Sequence, residues 1–206
     1  MKVLKSTKTK LGNEIKLIGE ENSRKILVIG VFHGEEPQGK FLIEEYLRTH
    51  SSNLFFIPCL NPDGVQFGKR TNANGVDLNR NYPTNNWQLT ERNEFFGGEA
   101  PASEIETKFM VEVIEEYNPE LILALHAPFM VVNYDGPAKE IAEKISKIIN
   151  YPVQESIGYP TPGSFGTYCG VERNIPTITL ELDEKIPVEN LLEPVHKIFD
   201  MLQFET

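Results

Sequence analysis

Residues 25–48, KILVIGVFHGEEPQGKFLIEEYLR, contain the pattern from which the fold follows. The continuous apolar run from Lys25 to Phe32 is rich in Ile and Val, which predicts a buried strand. From Pro37 to Arg48 the apolar residues recur at helical spacing, so we expect a helix directly after the strand. A strand that leads into a helix is the repeating unit of α/β proteins.

The same alternation continues along the chain. Further strands are predicted at Asn53–Pro58, Leu121–Leu125 and Thr177–Leu182, and helical stretches near 103–117, 136–149 and 188–203. Ser103 and Glu106 have the spacing of a capping box and therefore mark a helix start. At 206 residues the chain is long enough for one buried core. We predict an α/β fold: a single domain, residues 1–206, with a mixed, partly parallel sheet and helices on both faces.

The acidic composition limits the classes of partner. A net charge of −10 argues against nucleic acid, because phosphate binding needs a basic surface. No apolar segment approaches the roughly 20 residues that would span a bilayer. We therefore expect a small substrate and neither nucleic acid nor membrane as partner, and a homo-oligomer is compatible with this composition.

The N-terminus and the cysteines indicate the compartment. The basic start, Met1–Lys8, is followed by polar residues and not by an apolar run of signal-peptide length, which predicts a cytoplasmic protein. Cys59 and Cys169 are too few for a disulfide scaffold, and in a reducing compartment we expect free thiols. We assign them no role.

The pair His33 and Glu36 is the first candidate for chemistry. It follows a predicted strand, at the carboxyl edge where open α/β sheets place ligands. A spacing of three allows an imidazole and a carboxylate to converge on one ion. The pair by itself is weak, because a loop histidine beside a solvated acid has the same sequence.

His126 is the second candidate, since it ends the predicted strand Leu121–Leu125 at the corresponding edge. Two histidines and one glutamate form the three-ligand set of a catalytic zinc, with a fourth position open to water. A core histidine bonded to backbone is the alternative. We interpret the other two histidines, His50 and His196, as surface residues of helices.

Glu181 is the third candidate. Strict alternation along Thr177–Leu182 directs Glu181 to the polar face, at the end of the strand. A carboxylate beside an activated water can accept its proton and pass it to a leaving amine. An acid at a strand exit without function is the alternative.

The segment Asn61–Ala102 is a polar stretch of about forty residues without a convincing period. Loops of this length are uncommon in compact domains and tend to be functional. The planar fork of an arginine suits either a substrate carboxylate or a developing oxyanion, so we consider Arg70 for the oxyanion and Asn79 with Arg80 for the carboxylate. A solvated Asn-rich turn is the alternative.

Read in order, these motifs resemble the M14 metallocarboxypeptidases. The resemblance comprises His-x-x-Glu after a strand, Asn61–Gly64, an arginine, the run Asp77–Asn81, a strand-end histidine and a late glutamate. Single elements are weak evidence, but their joint order is specific. The resemblance implies a zinc carboxypeptidase-like fold and a peptidase activity.

The resemblance also implies roles for individual residues. One zinc ion would be bound by His33, Glu36 and His126, with Glu181 as the general base. Catalysis and substrate binding would involve Arg70 at the scissile carbonyl, Asn79 and Arg80 at the terminal carboxylate, and Tyr159 as a capping residue. Asp77 would orient a ligand histidine through its other nitrogen.

The segments Asn72–Asn81 and Gly158–Gly166 are similar to those of the murein peptide amidases, a cytoplasmic branch of this family. That branch cleaves the γ-D-glutamyl-meso-diaminopimelate bond of murein tripeptide during peptidoglycan recycling. We expect Asp183 or Glu184 to hold the far ammonium of diaminopimelate, because both lie close to Glu181 in sequence. The alternatives are an ordinary carboxypeptidase, an N-acyl amino acid deacylase and a non-catalytic peptide-binding module.

Overall fold

An eight-stranded mixed sheet is the centre of the computed structural model, which describes residues 1–155 and 158–204. The strands are β1 (Lys2–Lys8), β2 (Glu14–Gly19), β3 (Ile26–Gly30), β4 (Phe55–Ile57), β5 (Leu121–His126), β6 (Val131–Asp135), β7 (Val153–Gln154) and β8 (Thr177–Glu181). Their order across the sheet is β1-β2-β4-β3-β5-β8-β6-β7. The central strands β4, β3, β5 and β8 are parallel, whereas β2 and β6 pair antiparallel to them. The predicted mixed sheet is confirmed.

Helices cover both faces of this sheet, as expected. They are α1 (Gln38–Thr49), α2 (Pro62–Phe67), α3 (Ile105–Tyr117), α4 (Lys139–Ile149) and α5 (Leu192–Phe204), with short 3₁₀ turns at Leu78–Arg80 and Val188–Leu191 and a π-helical turn at Thr167–Val171. One core forms between the sheet and α1, α4 and α5. A second core forms between the other face, α3 and the loops around it.

Strand β3 shows why the opening apolar run has no alternation. Ile26 and Val28 belong to the core beneath α1 and α5, whereas Leu27 and Ile29 belong to the core beneath α3. All five residues of the strand are buried. A central parallel strand has no solvent face, so both sets of side chains must be apolar.

Several elements were not predicted. Strand β2 has a readable period, since Ile15 and Leu17 are buried between exposed or half-buried neighbours. Helix α2 lies inside the supposed structureless segment. Its N-terminus has Pro62 in the first turn, and the side chain of Asn61 accepts a hydrogen bond from the Gly64 amide. The Asn-Pro pair was therefore a helix-start signal that the sequence interpretation overlooked.

The predicted capping box at Ser103 is wrong. Helix α3 begins at Ile105, and its N-cap is Glu104, without a side-chain cap bond. The Glu106 side chain is buried and accepts a hydrogen bond from Asn72, so it does not turn back to the helix start. The tertiary hydrogen bond from Asn72 to Glu106 thus takes the place of the local capping bond that the sequence predicted.

The remaining sequence expectations concern isolated residues. Cys59 and Cys169 are free thiols. His50 is exposed, but His196 is half-buried and contacts the Leu42 carbonyl, so the interpretation of His196 as a surface residue is wrong. Within residues 1–155 and 158–204, no helix has the length and apolarity needed to cross a membrane.

The chain after β3 makes a sharp turn that brings α2 against the following segment. Val31 adopts a φ of 59°, a left-handed conformation that is rare for a β-branched residue. The Val31 carbonyl accepts a hydrogen bond from the Asn61 amide. Beyond the turn, Gly34 packs so closely on the backbone of Gly64 and Val65 that no side chain fits.

We expect Gly34→Ala to lower the melting temperature by several degrees and to weaken metal binding, because its methyl group would overlap the backbone of α2 and displace His33. Thermal unfolding by circular dichroism and a metal titration measure both effects. Glu35→Ala is the matched control, since Glu35 is exposed. Wild-type melting and metal affinity in Gly34→Ala would contradict this packing constraint.

Candidate active site

Three buried side chains converge at the carboxyl edge of the sheet. His33 follows β3, Glu36 precedes α1, and His126 is the last residue of β5. Nδ1 of His33 lies 2.8 Å from Oε1 of Glu36, and Nδ1 of His126 lies 3.2 Å from Oε2. One potential ligand atom from each residue lies within 4.8 Å of the others. The structure thus brings together all three ligand candidates that the sequence indicated.

The charges of this cluster fit a cation. Burial by itself would lower the pKa of His33, but the carboxylates of Asp77 and Glu36 outweigh it and raise that pKa to about 9. Burial likewise opposes ionisation of Glu36, yet the two histidines hold its pKa at about 2. His33 therefore faces a carboxylate at each ring nitrogen. A divalent ion between Glu36 and the two histidines would satisfy the same charges, and nitrogen and oxygen donors suit it.

Asp77 links His33 to Arg70. Its Oδ1 lies 3.2 Å from Nε2 of His33, and its Oδ2 accepts a hydrogen bond of 2.9 Å from Nε of Arg70. Burial raises the pKa of Asp77, but His33 and Arg70 hold that pKa well below its usual range. A carboxylate on Nε2 leaves Nδ1 of His33 with its lone pair directed at the candidate metal position.

A turn held by the buried side chain of Asn72 connects Arg70 and Asp77. The Oδ1 atom of Asn72 accepts hydrogen bonds from the amides of Asn74 and Val76. Its amide group donates to Glu104 and Glu106 at the start of α3. All polar positions of the Asn72 side chain are used, so this residue anchors the Asn-rich stretch to the fold, while Asn74 and Gly75 at the tip of the turn are exposed.

Glu181 ends β8 directly beside His126, its register partner on β5. It is buried, and among the described residues one of its carboxylate oxygens has no hydrogen-bond partner. Burial and the nearby Glu36 raise the pKa of Glu181 to about 8. A cation at the neighbouring cluster would lower that pKa and favour the ionised form. The position and the free oxygen suit a proton acceptor.

A narrow cavity of about 130 Å³ opens next to Glu181. Its wall is polar and consists of Asn79, Asn133, Asp135, Glu155, Tyr159, Thr161, Ser164, Gly166, Thr179 and Glu181. Asn79 is held there because its Oδ1 accepts a hydrogen bond from the Phe165 amide. This cavity gives a group bonded to the reacting atoms a space into which it can extend.

Arg80 lines a different cavity from Asn79. It lines a neighbouring cavity of about 400 Å³ and donates to the carbonyl of Asn79, while Asn79 itself faces the narrow cavity. Tyr159 is 44% exposed and borders both cavities. Asn79 and Arg80 are thus adjacent in sequence, but they line different cavities.

A wider cavity of about 620 Å³ borders the histidine cluster at Glu36. Arg70 and Glu36 form its inner wall, and Phe95, Phe129 and Tyr159 form its outer wall. The guanidinium of Arg70 lies over the ring of Phe95, 5.1 Å from its centroid. Arg70 is therefore oriented both by Asp77 and by an aromatic ring, and it faces open space.

The acids in the narrow cavity are not those expected from sequence. Glu184 lines the wide cavity, and Asp183 accepts a hydrogen bond from the Lys185 amide without lining either cavity. The acids that line the narrow cavity besides Glu181 are Asp135 and Glu155. Strand β6 could have revealed Asp135, since its sequence Val131-Val132-Asn133-Tyr134-Asp135 places two polar residues on one face.

We expect Asp77→Asn to weaken divalent-metal affinity by about 10- to 100-fold, because the orientation and basicity of His33 depend on this carboxylate. A competition titration with a chromogenic chelator measures the affinity. His126→Ala, which removes a ligand candidate, is expected to reduce the metal content itself. Wild-type affinity in Asp77→Asn would show that His33 needs no partner at Nε2.

Comparisons with known proteins agree with this geometry. The family model "Zinc carboxypeptidase" matches residues 1–144. Murein peptide amidase A of Escherichia coli K12 is 35% identical over 170 residues, which cover 75% of this chain and 69% of that protein. The crystal structure of the murein-tripeptide amidase from Escherichia coli O157 superposes with a TM-score of 0.84 and 29% identity, over 97% of this chain and 90% of the other.

Carboxypeptidase A from Helicoverpa armigera shares the fold, with a TM-score of 0.75 at 19% identity. It covers 96% of this chain, and this chain covers 68% of it. The expected resemblance is therefore confirmed by sequence and by structure. This chain belongs to the zinc carboxypeptidase family.

Proposed function

We propose that this chain is a zinc-dependent amidase that hydrolyses the bond between γ-D-glutamate and meso-diaminopimelate in murein tripeptide. The observation that carries the proposal is the likeness to a murein-tripeptide amidase, which extends over 97% of the chain at 29% identity. The reaction would belong to peptidoglycan recycling in the cytoplasm. Residues 1–206 would act as a single domain.

Zinc is the metal that we assign to His33, Glu36 and His126, where it would supply a Lewis acid that polarises the scissile carbonyl and activates water. The cluster is buried, so its charges act in a medium of low dielectric constant. Asp77 holds His33 in the orientation and tautomer that this site requires.

Glu181 is the general base in this proposal. Its unpartnered oxygen accepts the proton of the attacking water and then donates it to the amine of the leaving diaminopimelate. Its place at the end of β8, next to His126, supports this assignment. One carboxyl group can serve both steps because the proton is taken up before the C–N bond breaks.

Arg70 stabilises the negative charge that develops on the carbonyl oxygen. Its guanidinium faces the wide cavity and is already oriented by Asp77 and Phe95, so little reorganisation is needed during the reaction. We assign Asn79 and Arg80 to the terminal carboxylate, with Tyr159 closing over the bound residue. Arg80 and Tyr159 border the same cavity, which is compatible with both contacting one bound residue.

The amidase and an ordinary carboxypeptidase differ in the linkage that they accept. We expect the zinc-loaded protein to release diaminopimelate from L-Ala-γ-D-Glu-meso-diaminopimelate, and a matched α-linked peptide to be cleaved at least about 100-fold more slowly. Mass spectrometry of the free amino acid measures both reactions. Cleavage of the α-linked peptide alone would make the protein an ordinary carboxypeptidase, and inertness toward both would point to a deacylase or a binding module.

We expect Glu181→Gln to retain metal and substrate binding and to lose about 10²- to 10⁴-fold in turnover, because the variant removes only proton transfer. Single-turnover assays and calorimetric binding of the tripeptide separate the two effects. Glu140→Gln, an exposed acid on α4, is the matched control. Comparable turnover of Glu181→Gln and wild type would exclude Glu181 as the base.

A further inference from the structure

The narrow cavity next to Glu181 has a wall built from two paired strands. Strand β6 is antiparallel to β8, with Asn133 opposite Thr179 and Asp135 opposite Thr177. Register partners direct their side chains to the same face of a sheet, so the polar row of β6 lies on the same face as Glu181. The cavity therefore extends from the reacting position along a polar row to Asp135.

The side chain of Asp135 is closely packed against the backbone of Gly166 and Gly170. Any side chain at Gly166 would overlap its carboxyl group, and any side chain at Gly170 would overlap its Cβ. Within residues 1–155 and 158–204, the Asp135 carboxylate has no hydrogen bond, ion pair or cationic neighbour. Burial raises the pKa of Asp135 to about 6, so it is ionised at neutral pH without a compensating charge.

The rest of the wall adds negative charge and no described cation. Glu155 lines the same cavity, and the other lining residues described are neutral apart from Glu181. A half-buried carboxylate without a partner costs free energy, and a ligand that supplies the missing positive charge recovers it. A ligand group without positive charge would leave both Asp135 and Glu155 uncompensated.

We propose that Asp135, assisted by Glu155, recognises the side-chain ammonium of the residue that the enzyme releases. The inference rests on the proposed function, because it assigns the narrow cavity to the leaving amino acid. It names a chemical class, a C-terminal diamino acid, and it replaces the sequence-based assignment to Asp183 or Glu184. The ammonium enters beside Glu181 and reaches Asp135 along the polar row of β6.

A matched pair of substrates isolates this ammonium. L-Ala-γ-D-Glu-meso-diaminopimelate and the same peptide ending in L-2-aminopimelate differ only in the far amino group. Hydrogen bonds to charged groups contribute enough to give a preference of about 10- to 100-fold in kcat/KM for diaminopimelate. Asp135→Asn is expected to reduce this ratio to about threefold or less, through KM and with kcat unchanged.

Controls distinguish the inference from the proposed function. Asp183→Asn is expected to keep the wild-type ratio, since Asp183 does not line the cavity. If Asp135→Asn is poorly folded, Glu155→Gln, an exposed position, is expected to lower the ratio by a smaller factor. A wild-type protein without preference, or folded Asp135 and Glu155 variants with an unchanged ratio, would overturn the inference while leaving γ-linked cleavage intact. Failure of the wild type to cleave either peptide would overturn both.

Discussion

The parallel pairing of β3, β5 and β8 is the constraint on which the candidate site depends. Parallel strands end at the same edge, so residues that follow them meet in space although they are far apart in sequence. His126 and Glu181 are direct register partners across β5 and β8. His33 reaches the same edge from β3 after the turn at Val31. A shift of one residue in the register would direct Glu181 into the opposite core.

The buried charges at this edge form a continuous chain of contacts. Arg70 contacts Asp77, Asp77 contacts His33, and His33 contacts Glu36, which also contacts His126. Each member satisfies its neighbour, and removing one would leave an uncompensated charge in a dry environment. The chain ends at His126. The imidazoles of His33 and His126 both face the Glu36 carboxylate, and this group of nitrogen and oxygen donors makes the cluster suitable for a cation.

The polar segment between β4 and α3 acquires its structure from side-chain amides. Asn61 caps α2 and donates to the carbonyls of Phe32 and Arg70, so it ties the segment after β3 to the arginine. Asn72 fixes the turn between Arg70 and Asp77 and anchors it to α3. The segment is held in place by these side-chain hydrogen bonds and not mainly by an apolar face. Its sequence therefore lacks the apolar periodicity of a helix or strand and has the composition of a loop.

The sequence by itself determined the α/β class, the ligand candidates His33, Glu36 and His126, and the acid Glu181, because each follows an apolar run whose period can be read locally. Only the tertiary structure decided which acids line the cavity beside Glu181. Asp135 lies 46 residues before Glu181 in sequence, and the antiparallel register of β6 and β8 brings their polar faces together. Closeness in sequence had favoured Asp183 and Glu184 instead. Local alternation indicates which face of its strand a residue occupies, but which distant strand shares that face depends on strand pairing, and no local pattern contains that information.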